Sequence, residues 1–362
     1  MQTLRRYLLP GLVFQSVVIG GGYATGRELI EFFMPAGPLG GLLGMGVSML
    51  VWGTVMAVSL ELARRTQAYD YKSFFQQLLG RGWFLFEIGY VLLLILVLSV
   101  LGAACGEIMS QAFGLSKTLG ALLLMLCVGA VVFFGNATVE KVLALLGLTL
   151  YAVYAVFFVW CLLVFGERIG EQFSAPGALQ DGGLIGGLRY AGYNMAIMPA
   201  VLFCARHLHN RREALVAGLL CGPVAMLPGL LFFVPMAAFY PQIGEVALPS
   251  SFLLGQLGAK WFELVFQLVV FSTLVATGAG LLHAVNERAA RVYAARGRSM
   301  PRPVRLGISL GLMAFSVFVA GAFGLVGLIA QGYGALTWFF IAVIVLPVLT
   351  VGAWKVWRLR VA

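Results

Sequence analysis

The sequence predicts an all-α polytopic membrane protein of about ten transmembrane helices, arranged as a five-plus-five inverted repeat in which helices 1 and 6 are broken. Its composition gives the first indication: of 362 residues, 61% are hydrophobic and 10% are charged, and the mean hydropathy is +0.97. Soluble domains carry roughly a quarter charged residues, so lipid must be the solvent for most of this surface. The net charge of +10 does not indicate nucleic-acid binding, because the cations lie in short clusters between apolar runs.

The apolar runs give the second indication. Each is about 20 residues long and ends at charged or Pro/Gly-rich breaks, as membrane helices do. A closed barrel would instead show alternating strands of about ten residues. The ten predicted spans are 8–34, 38–63, 83–112, 118–135, 138–165, 184–206, 213–238, 258–290, 305–323 and 328–353. We expect residues 1–165 to form the first repeat, 166–183 an extracytoplasmic connection, 184–353 the second repeat and 354–362 a cytoplasmic tail.

Ten spans place 19 of the 24 Lys and Arg residues on one side of the membrane. An excess of positive loops marks the cytoplasmic side, so both termini are expected there, in a multi-pass protein of the cell (inner) membrane. An error of one span would scatter these clusters over both faces. The cations on this side are Arg5, Arg6, Arg64, Arg65, Lys72, Arg81, Lys141, Arg206, Arg211, Arg212, Arg288, Arg291, Arg296, Arg298, Arg302, Arg305, Lys355, Arg358 and Arg360.

An internal similarity recurs at an offset of 178 residues. Residues 73–84 and 251–262 share Ser-Phe, Leu-Gly and Trp-Phe pairs at equivalent positions. One copy precedes span 3 and the other precedes span 8. Because five spans separate the copies, they lie on opposite sides of the membrane, as in an inverted repeat.

The partner spans 1 and 6 each contain a feature that a regular membrane helix avoids. Span 1 has Gly20-Gly21-Gly22 at its centre, and span 6 has Gly192-Tyr193-Asn194 followed by Pro199. Unwound backbone at membrane depth is tolerated where it is buried in protein or lines a cavity. Broken helices at matching positions of two repeats indicate a transporter binding site. The alternative is that the glycines allow close helix packing, as we expect for Gly40 and Gly44 in span 2.

The string Gly20-Gly21-Gly22-Tyr23-Ala24-Thr25-Gly26-Arg27-Glu28, followed by Phe32 and Phe33, resembles the small bacterial putative amino acid permease family of the amino acid–polyamine–organocation superfamily. Asn194 also suits that family. The resemblance implies the fold of the bacterial leucine transporter and secondary active transport of an amino acid or similar solute. It does not establish a substrate.

The glycine triplet itself predicts a binding site. A helix that restarts near Tyr23 leaves free N–H groups at its positive end, where a carboxylate is the natural occupant. Asn194, a neutral side chain at the second break, favours a zwitterionic over a cationic solute, although Glu107 could supply a charge instead. The predicted substrate-binding residues are Gly20, Gly21, Gly22, Tyr23, Tyr193 and Asn194.

A coupling ion is expected, and no other cofactor. Adjacent hydroxyls in span 8 resemble those that form a sodium site in this fold together with carbonyls of the first helix. The candidate sodium ligands are Ser16, Ile19, Ser272, Thr273 and Thr277. Two alternatives stay open: the hydroxyls bond back to their own helix, or the carrier is proton-coupled or uncoupled.

Few ionisable residues lie within the spans. Arg27 and Glu31 have the i, i+4 spacing of a helical ion pair, which leaves Glu28 without a partner. We consider Arg27, Glu28 and Glu107 as gating or proton-transfer candidates, the alternative for Glu28 being a helix cap or contact with outer water.

Other function classes have less support. The only aspartates, Asp70 and Asp181, lie in loops, and no paired-carboxylate or metal-ligating motif indicates an intramembrane enzyme. No G-x-x-x-x-G-K-[ST] motif indicates an ATP-driven pump. A membrane receptor or scaffold stays open. The expected partners are the lipid bilayer and a small solute, and the oligomeric state is open.

Overall fold

The computed structural model describes residues 2–134, 137–294 and 297–358, with the side chains of 2–5, 134 and 137–148 left out of the description. Within these residues all regular structure is helical. Six helical stretches are long and apolar enough to cross a membrane, judged by length and composition. The chain is therefore a polytopic all-α membrane protein.

The described residues of the first half form eight α-helices. Spans 2, 3, 4 and 5 correspond to α4, α6, α7 and α8, whereas span 1 is divided among the first three helices. The helices are α1 (Gln2–Val18), α2 (Gly21–Ala24), α3 (Arg27–Phe33), α4 (Gly37–Thr66), α5 (Tyr71–Leu79), α6 (Trp83–Phe113), α7 (Lys117–Phe134) and α8 (Ala137–Ser174).

In the second half, too, a divided span comes first and long helices follow. Span 6 is α9 followed by a 3₁₀ helix, and spans 7, 8 and 9 are α10, α12 and α13. Span 10 is a helical stretch with π-helical turns between Leu328 and Gly352. The helices are α9 (Gly183–Asn194), the 3₁₀ helix Met195–His207, α10 (Arg211–Ala237), α11 (Pro249–Leu257), α12 (Lys260–Ala294), α13 (Arg302–Gly327), α14 (Gly334–Phe340) and α15 (Ala353–Arg358).

Two predicted boundaries differ from the structure. Helix α8 continues to Ser174, beyond the predicted end of span 5 at residue 165, because polar residues at the end of a helix can leave the lipid without ending the helix. Helix α15 likewise continues to Arg358, into the segment predicted as a tail. The side chain of Lys141, one of the cations used to orient the chain, lies outside the described residues.

Span 1 is interrupted twice, not once at the glycine triplet as predicted. Helix α1 ends at Val18, and α2 starts with the hydrogen bond from the Ala24 N–H to the Gly20 carbonyl, at 2.8 Å. The second interruption is at Gly26, whose φ of 82° lies in the left-handed region that glycine adopts at little cost. The chain therefore turns again before α3.

Span 6 changes its helix type slightly later than predicted. The α-helix includes Tyr193 and continues to Asn194, where the 3₁₀ helix begins. Pro199 lies inside that 3₁₀ helix and has no N–H for an α-helical hydrogen bond to Met195. The proline therefore favours the change that the sequence placed at Gly192-Tyr193-Asn194.

The two copies of the internal similarity each form a nine-residue helix, α5 and α11, ahead of a long helix. Neither short helix was predicted, because two turns are too short to show a membrane pattern. Asp70 caps α5 by accepting a hydrogen bond from the Ser73 N–H at 3.0 Å. Partial burial raises the pKa of Asp70, but the hydrogen bonds from Ser73 outweigh it and hold this pKa below its usual value.

Glycines bring α4 close to α9. A Cβ atom at Gly187 would lie 2.3 Å from the Gly44 carbonyl oxygen, and one at Gly44 would lie 2.7 Å from the Gly183 carbonyl oxygen. Backbone contacts this short leave no space for any side chain. The packing predicted for Gly40 and Gly44 is thus present, and it holds α9 against the second span.

Candidate binding site at the two helix breaks

One hydrogen bond joins the two broken spans. The Tyr193 hydroxyl on α9 donates to Oε2 of Glu28 on α3 at 2.5 Å. Both side chains are 4% exposed. The two halves of the chain therefore meet at a buried carboxylate.

The second oxygen of this carboxylate lies against the glycine triplet. A Cβ atom at Gly22 would lie 2.3 Å from Glu28 Oε1, so only glycine leaves room for the carboxylate there. The backbone N–H of Tyr23 also faces this carboxylate. The first amides of a helix have no intrahelical acceptor, and here the chain's own glutamate supplies one. The sequence analysis predicted instead that these amides would bind the carboxylate of a solute.

Aromatic rings surround the Glu28–Tyr193 pair. Tyr193 stacks on Tyr333 with ring centroids 4.4 Å apart and an interplanar angle of 8°, and it stacks on Phe32 at 5.6 Å. Tyr190 meets Tyr193 edge to face at 5.7 Å. We call Phe32, Tyr190, Tyr193 and Tyr333 the aromatic wall.

Sequence reasoning named only Tyr193 from this wall as a binding residue. Tyr190 precedes it by one helical turn on the same helix, a spacing that places both rings on one face. Tyr333 lies between Gly332 and Gly334 in span 10, a pattern that resembles the glycines beside Tyr23. Both signals could have been found in the sequence.

Two tyrosine hydroxyls on the broken spans lack a hydrogen-bond partner among the described residues, and that of Tyr23 lies against Gly229 of α10. The hydroxyls of Tyr23 and Tyr190 are fully buried and make no hydrogen bond among the described residues. Both tyrosines interact electrostatically with Glu28. Because buried hydroxyls normally have a partner, this site has capacity for a further polar group.

The site borders open space on the side of α1. A Cβ atom at Gly20 would meet only the Val18 carbonyl oxygen, at 4.0 Å. Ser16 and Val17, one turn earlier, are exposed. The residues after the break, from Gly22 to Ile30, are buried. Span 1 thus has an exposed surface just before the break and is buried after it.

The opposite side is closed by Arg27. Its guanidinium donates to the carbonyls of Gly244 and Val246 at 2.9 and 3.0 Å, and pairs with Glu31 at 2.8 Å. This is the i, i+4 pair that the spacing predicted. It ties α3 to the loop between α10 and α11. The two Nη atoms of Arg27 bond to these groups and not to Glu28, and its buried Nε has no hydrogen-bond partner among the described residues.

The hydroxyls of three candidate sodium ligands bond within their own helices. The Ser16 hydroxyl donates to the Val13 carbonyl at 2.8 Å, and Ser272 and Thr273 donate to carbonyls of their own helix at 2.8 and 3.0 Å. Helix α1 packs mainly against α10 and the 3₁₀ helix, and within the described residues it shares no extensive contact with α12. Ile19 is buried, and Thr277 lies one turn beyond Thr273. The sodium site stays a prediction.

Two further candidates have local partners. Glu107 forms an ion pair with Lys117 where α6 turns into α7, so it is not part of the cluster around Glu28. The Asn194 side-chain amide donates to the carbonyl of Tyr190 at 3.0 Å, within its own helix. Glu107 therefore has its partner away from the breaks, and Asn194 uses one amide N–H within its own helix.

Comparison with known proteins places this arrangement in a structural class. The main chain is similar to that of MhsT in complex with L-phenylalanine, with a TM-score of 0.57 and 14% identity over 98% of each chain. It is also similar to the Eremococcus coleocola manganese transporter in complex with an aromatic bis-isothiourea compound, with a TM-score of 0.53 and 14% identity over 96% of this chain and 78% of that chain. The chain thus has the leucine-transporter fold.

A relative by sequence is a membrane protein without an assigned activity. The chain is 23% identical to the uncharacterized membrane protein YkvI of Bacillus subtilis (strain 168), over 76% of this chain and 79% of YkvI. No family model matches the chain. The similarities establish the fold, so the activity has to be inferred from the site.

Proposed function

We propose that this chain is a secondary transporter that moves a small amino-acid-like solute by alternating access. The observation that carries the proposal is the hydrogen bond between Glu28 and Tyr193, which joins two broken helices at a buried, polar site. In transporters, discontinuous helices form the solute site near the middle of the membrane. The similar folds of a manganese transporter and of MhsT, which was crystallised with L-phenylalanine, support the proposal.

The conformation supports a proposal about the side of the membrane to which the site opens. The half of span 1 before the break is partly exposed, and Arg27 closes the half after it. If the Lys and Arg clusters mark the cytoplasm, both termini are cytoplasmic and the site opens inward. The solute would leave along α1, and movement of α1 against α12 would close this route.

Coupling to a cation is part of the proposal. Sodium coupling requires that α1 approach α12, so that Ser16 and Ile19 come near Ser272 and Thr273 in another conformation. Proton coupling requires only that Glu28 bind and release a proton. Sodium dependence of uptake at constant pH separates these two mechanisms.

Counterflow in proteoliposomes tests the transport activity. Vesicles loaded with an unlabelled solute should accumulate the labelled solute when they hold a carrier, whereas a receptor or scaffold would show no accumulation. The panel should include amino acids and the corresponding amines, each with sodium, with potassium and across a pH gradient. A Gly21→Leu variant should lose counterflow while keeping its elution profile in detergent. Full counterflow by this variant would contradict the assigned site.

A further inference from the structure

The buried carboxylate of Glu28 lacks a positive partner in the described part of the chain. The nearest cation in sequence, Arg27, bonds to two carbonyls and to Glu31. The groups that contact or electrostatically face Glu28 are tyrosines: Tyr23 from α2, Tyr190 and Tyr193 from α9, and Tyr333 from span 10. A buried charge without a partner is strongly unfavourable, so a charged Glu28 needs a cation from outside the chain.

We propose that Glu28 binds the ammonium group of the solute. The solute class is therefore a small organic amine, and the solute does not need a carboxylate of its own to bind. This inference rests on the proposed function, because the bound amine is taken to be the transported solute. The amides at the break, which could have held a solute carboxylate, already face Glu28. A second carboxylate at this place would be repelled by the first.

The surroundings of Glu28 fit an ammonium group. The Tyr193 hydroxyl lies on the carboxylate and its ring stacks between Tyr333 and Phe32, so the group next to Glu28 is enclosed by aromatic side chains. A ring face that is not covered by another ring attracts a cation within about 6 Å. The unpartnered hydroxyls of Tyr23 and Tyr190 can accept hydrogen bonds from N–H donors. An ammonium group brings three such donors, so a ligand bound at the carboxylate has donors left for neighbouring hydroxyls.

The chemistry of the site argues against a manganese ion as the solute. Mn²⁺ prefers several carboxylate, carbonyl or water oxygens. Among the described residues, no group of three or more His, Cys, Asp or Glu side chains could hold a metal ion. The one carboxylate here is surrounded by aromatic rings, which suits a singly charged organic cation.

A thermal-shift experiment with matched probes tests this inference without transport. We would measure unfolding of the purified full chain with 2-phenylethylamine, L-phenylalanine and 3-phenylpropionate, and with the aliphatic pair butylamine and butyrate. A ligand that binds the folded state raises the unfolding temperature. We expect a shift with at least one amine, an equal or smaller shift with phenylalanine, and none with the acids. Shifts with the acids alone, or none with any amine, would overturn the inference.

Two variants that each remove one carboxylate charge identify the residue responsible. Glu28→Gln keeps the size of the side chain and removes its charge, and it should lower the affinity for the amine at least tenfold. Glu287→Gln in α12 removes the carboxylate of an exposed ion pair with Arg305 and should leave the amine shift unchanged. An unchanged amine affinity in Glu28→Gln would assign the binding to another group. If Glu28→Gln does not fold, Glu28→Asp keeps the charge and should retain the preference for amine over acid.

The results separate this inference from the proposed function. Amine shifts that depend on Glu28, without counterflow, would support the site and contradict transport. Counterflow of amino acids, with shifts that do not depend on Glu28, would support transport and contradict the site.

Discussion

Arg27 and Glu28 are adjacent in sequence but have separate roles. Successive residues of a helix point in different directions, so the two side chains cannot pair with each other. Arg27 faces the loop that contains Gly244 and Val246, whereas Glu28 faces the break and Tyr193. A charge near the centre of a membrane helix costs about 2.5 to 3.5 kcal/mol or more if it is unpaired. The ammonium group proposed above would offset this cost at Glu28.

The contact between Gly22 and Glu28 predicts a functional defect in Gly22→Ala. The added Cβ atom would lie 2.3 Å from Oε1, at the end of a side chain that can move, so the protein should fold with its carboxylate displaced. Loss of one hydrogen bond to a charged group corresponds to about 1.5 to 3 kcal/mol, or roughly a 10- to 100-fold loss of solute affinity. Solute titration by thermal shift measures this loss.

A matched control for this variant is Gly311→Ala in α13, where an added Cβ meets no atom within 4 Å. Its solute affinity should equal that of the unchanged protein. Equal affinities for Gly22→Ala and Gly311→Ala would show that the carboxylate does not need its position at the break.

At the scale of the helices, the molecule has a closed and an open half of span 1. Helix α3 is held by Arg27, and the preceding turn is held by the hydrogen bond from the Ser250 N–H to the Thr25 carbonyl at 3.1 Å. Helix α1 is held mainly on one side, where Gln15 donates to the Val224 carbonyl at 2.6 Å. Within the described residues, α1 forms fewer hydrogen bonds to other segments than α3 does, so we expect the α1 half of span 1 to be the part that moves.

Arg27→Gln should weaken the closed half. The change removes the partner of Glu31 and leaves two loop carbonyls without their donors. Breaking a buried ion pair costs about 3 to 5 kcal/mol, and partial exposure of Glu31, at 21%, places the expected loss toward the lower end. The unfolding temperature in detergent should fall clearly below that of Arg305→Gln, which removes an exposed pair with Glu287. Equal unfolding temperatures would contradict a stabilising role for Arg27.

The close packing of α4 on α9 predicts a large difference between two glycine substitutions. Gly187→Ala would place a Cβ atom 2.3 Å from the Gly44 carbonyl oxygen, so the helices would have to separate. Overpacking of this kind costs typically about 1 to 3 kcal/mol. Gly46→Ala on α4 meets no atom within 4 Å and should be neutral or slightly stabilising. Thermal unfolding of both variants checks this, and similar stabilities would contradict the packing.

At the scale of the whole molecule, the exposure of span 1 predicts one-sided access to the site. Ser16→Cys should react with a membrane-impermeant thiol reagent added from the side of the termini, whereas Thr25→Cys, at a buried position, should not. The background should replace Cys127, because the other four cysteines are buried. Equal labelling of both positions, or labelling of Thr25→Cys alone, would contradict access to α1 from the side of the termini.

Solute binding should change this pattern if the chain is a transporter. Closure of α1 onto α12 would protect Ser16→Cys, so the labelling rate should fall when a transported solute and its coupling ion are present. Unchanged labelling with a ligand that raises the unfolding temperature would separate binding from any movement of α1.

The sequence by itself determined the membrane class, the order of the long helices and the places where spans 1 and 6 depart from a regular α-helix. These features follow from composition and from local backbone chemistry at the glycine triplet and Pro199, which act within a few residues. Only the tertiary structure decided what fills the first break. Glu28 and Tyr193 are 165 residues apart, and their contact depends on how α3 packs on α9. The second turn at Gly26 brings that carboxylate back to Gly22, a geometry that local propensities do not specify.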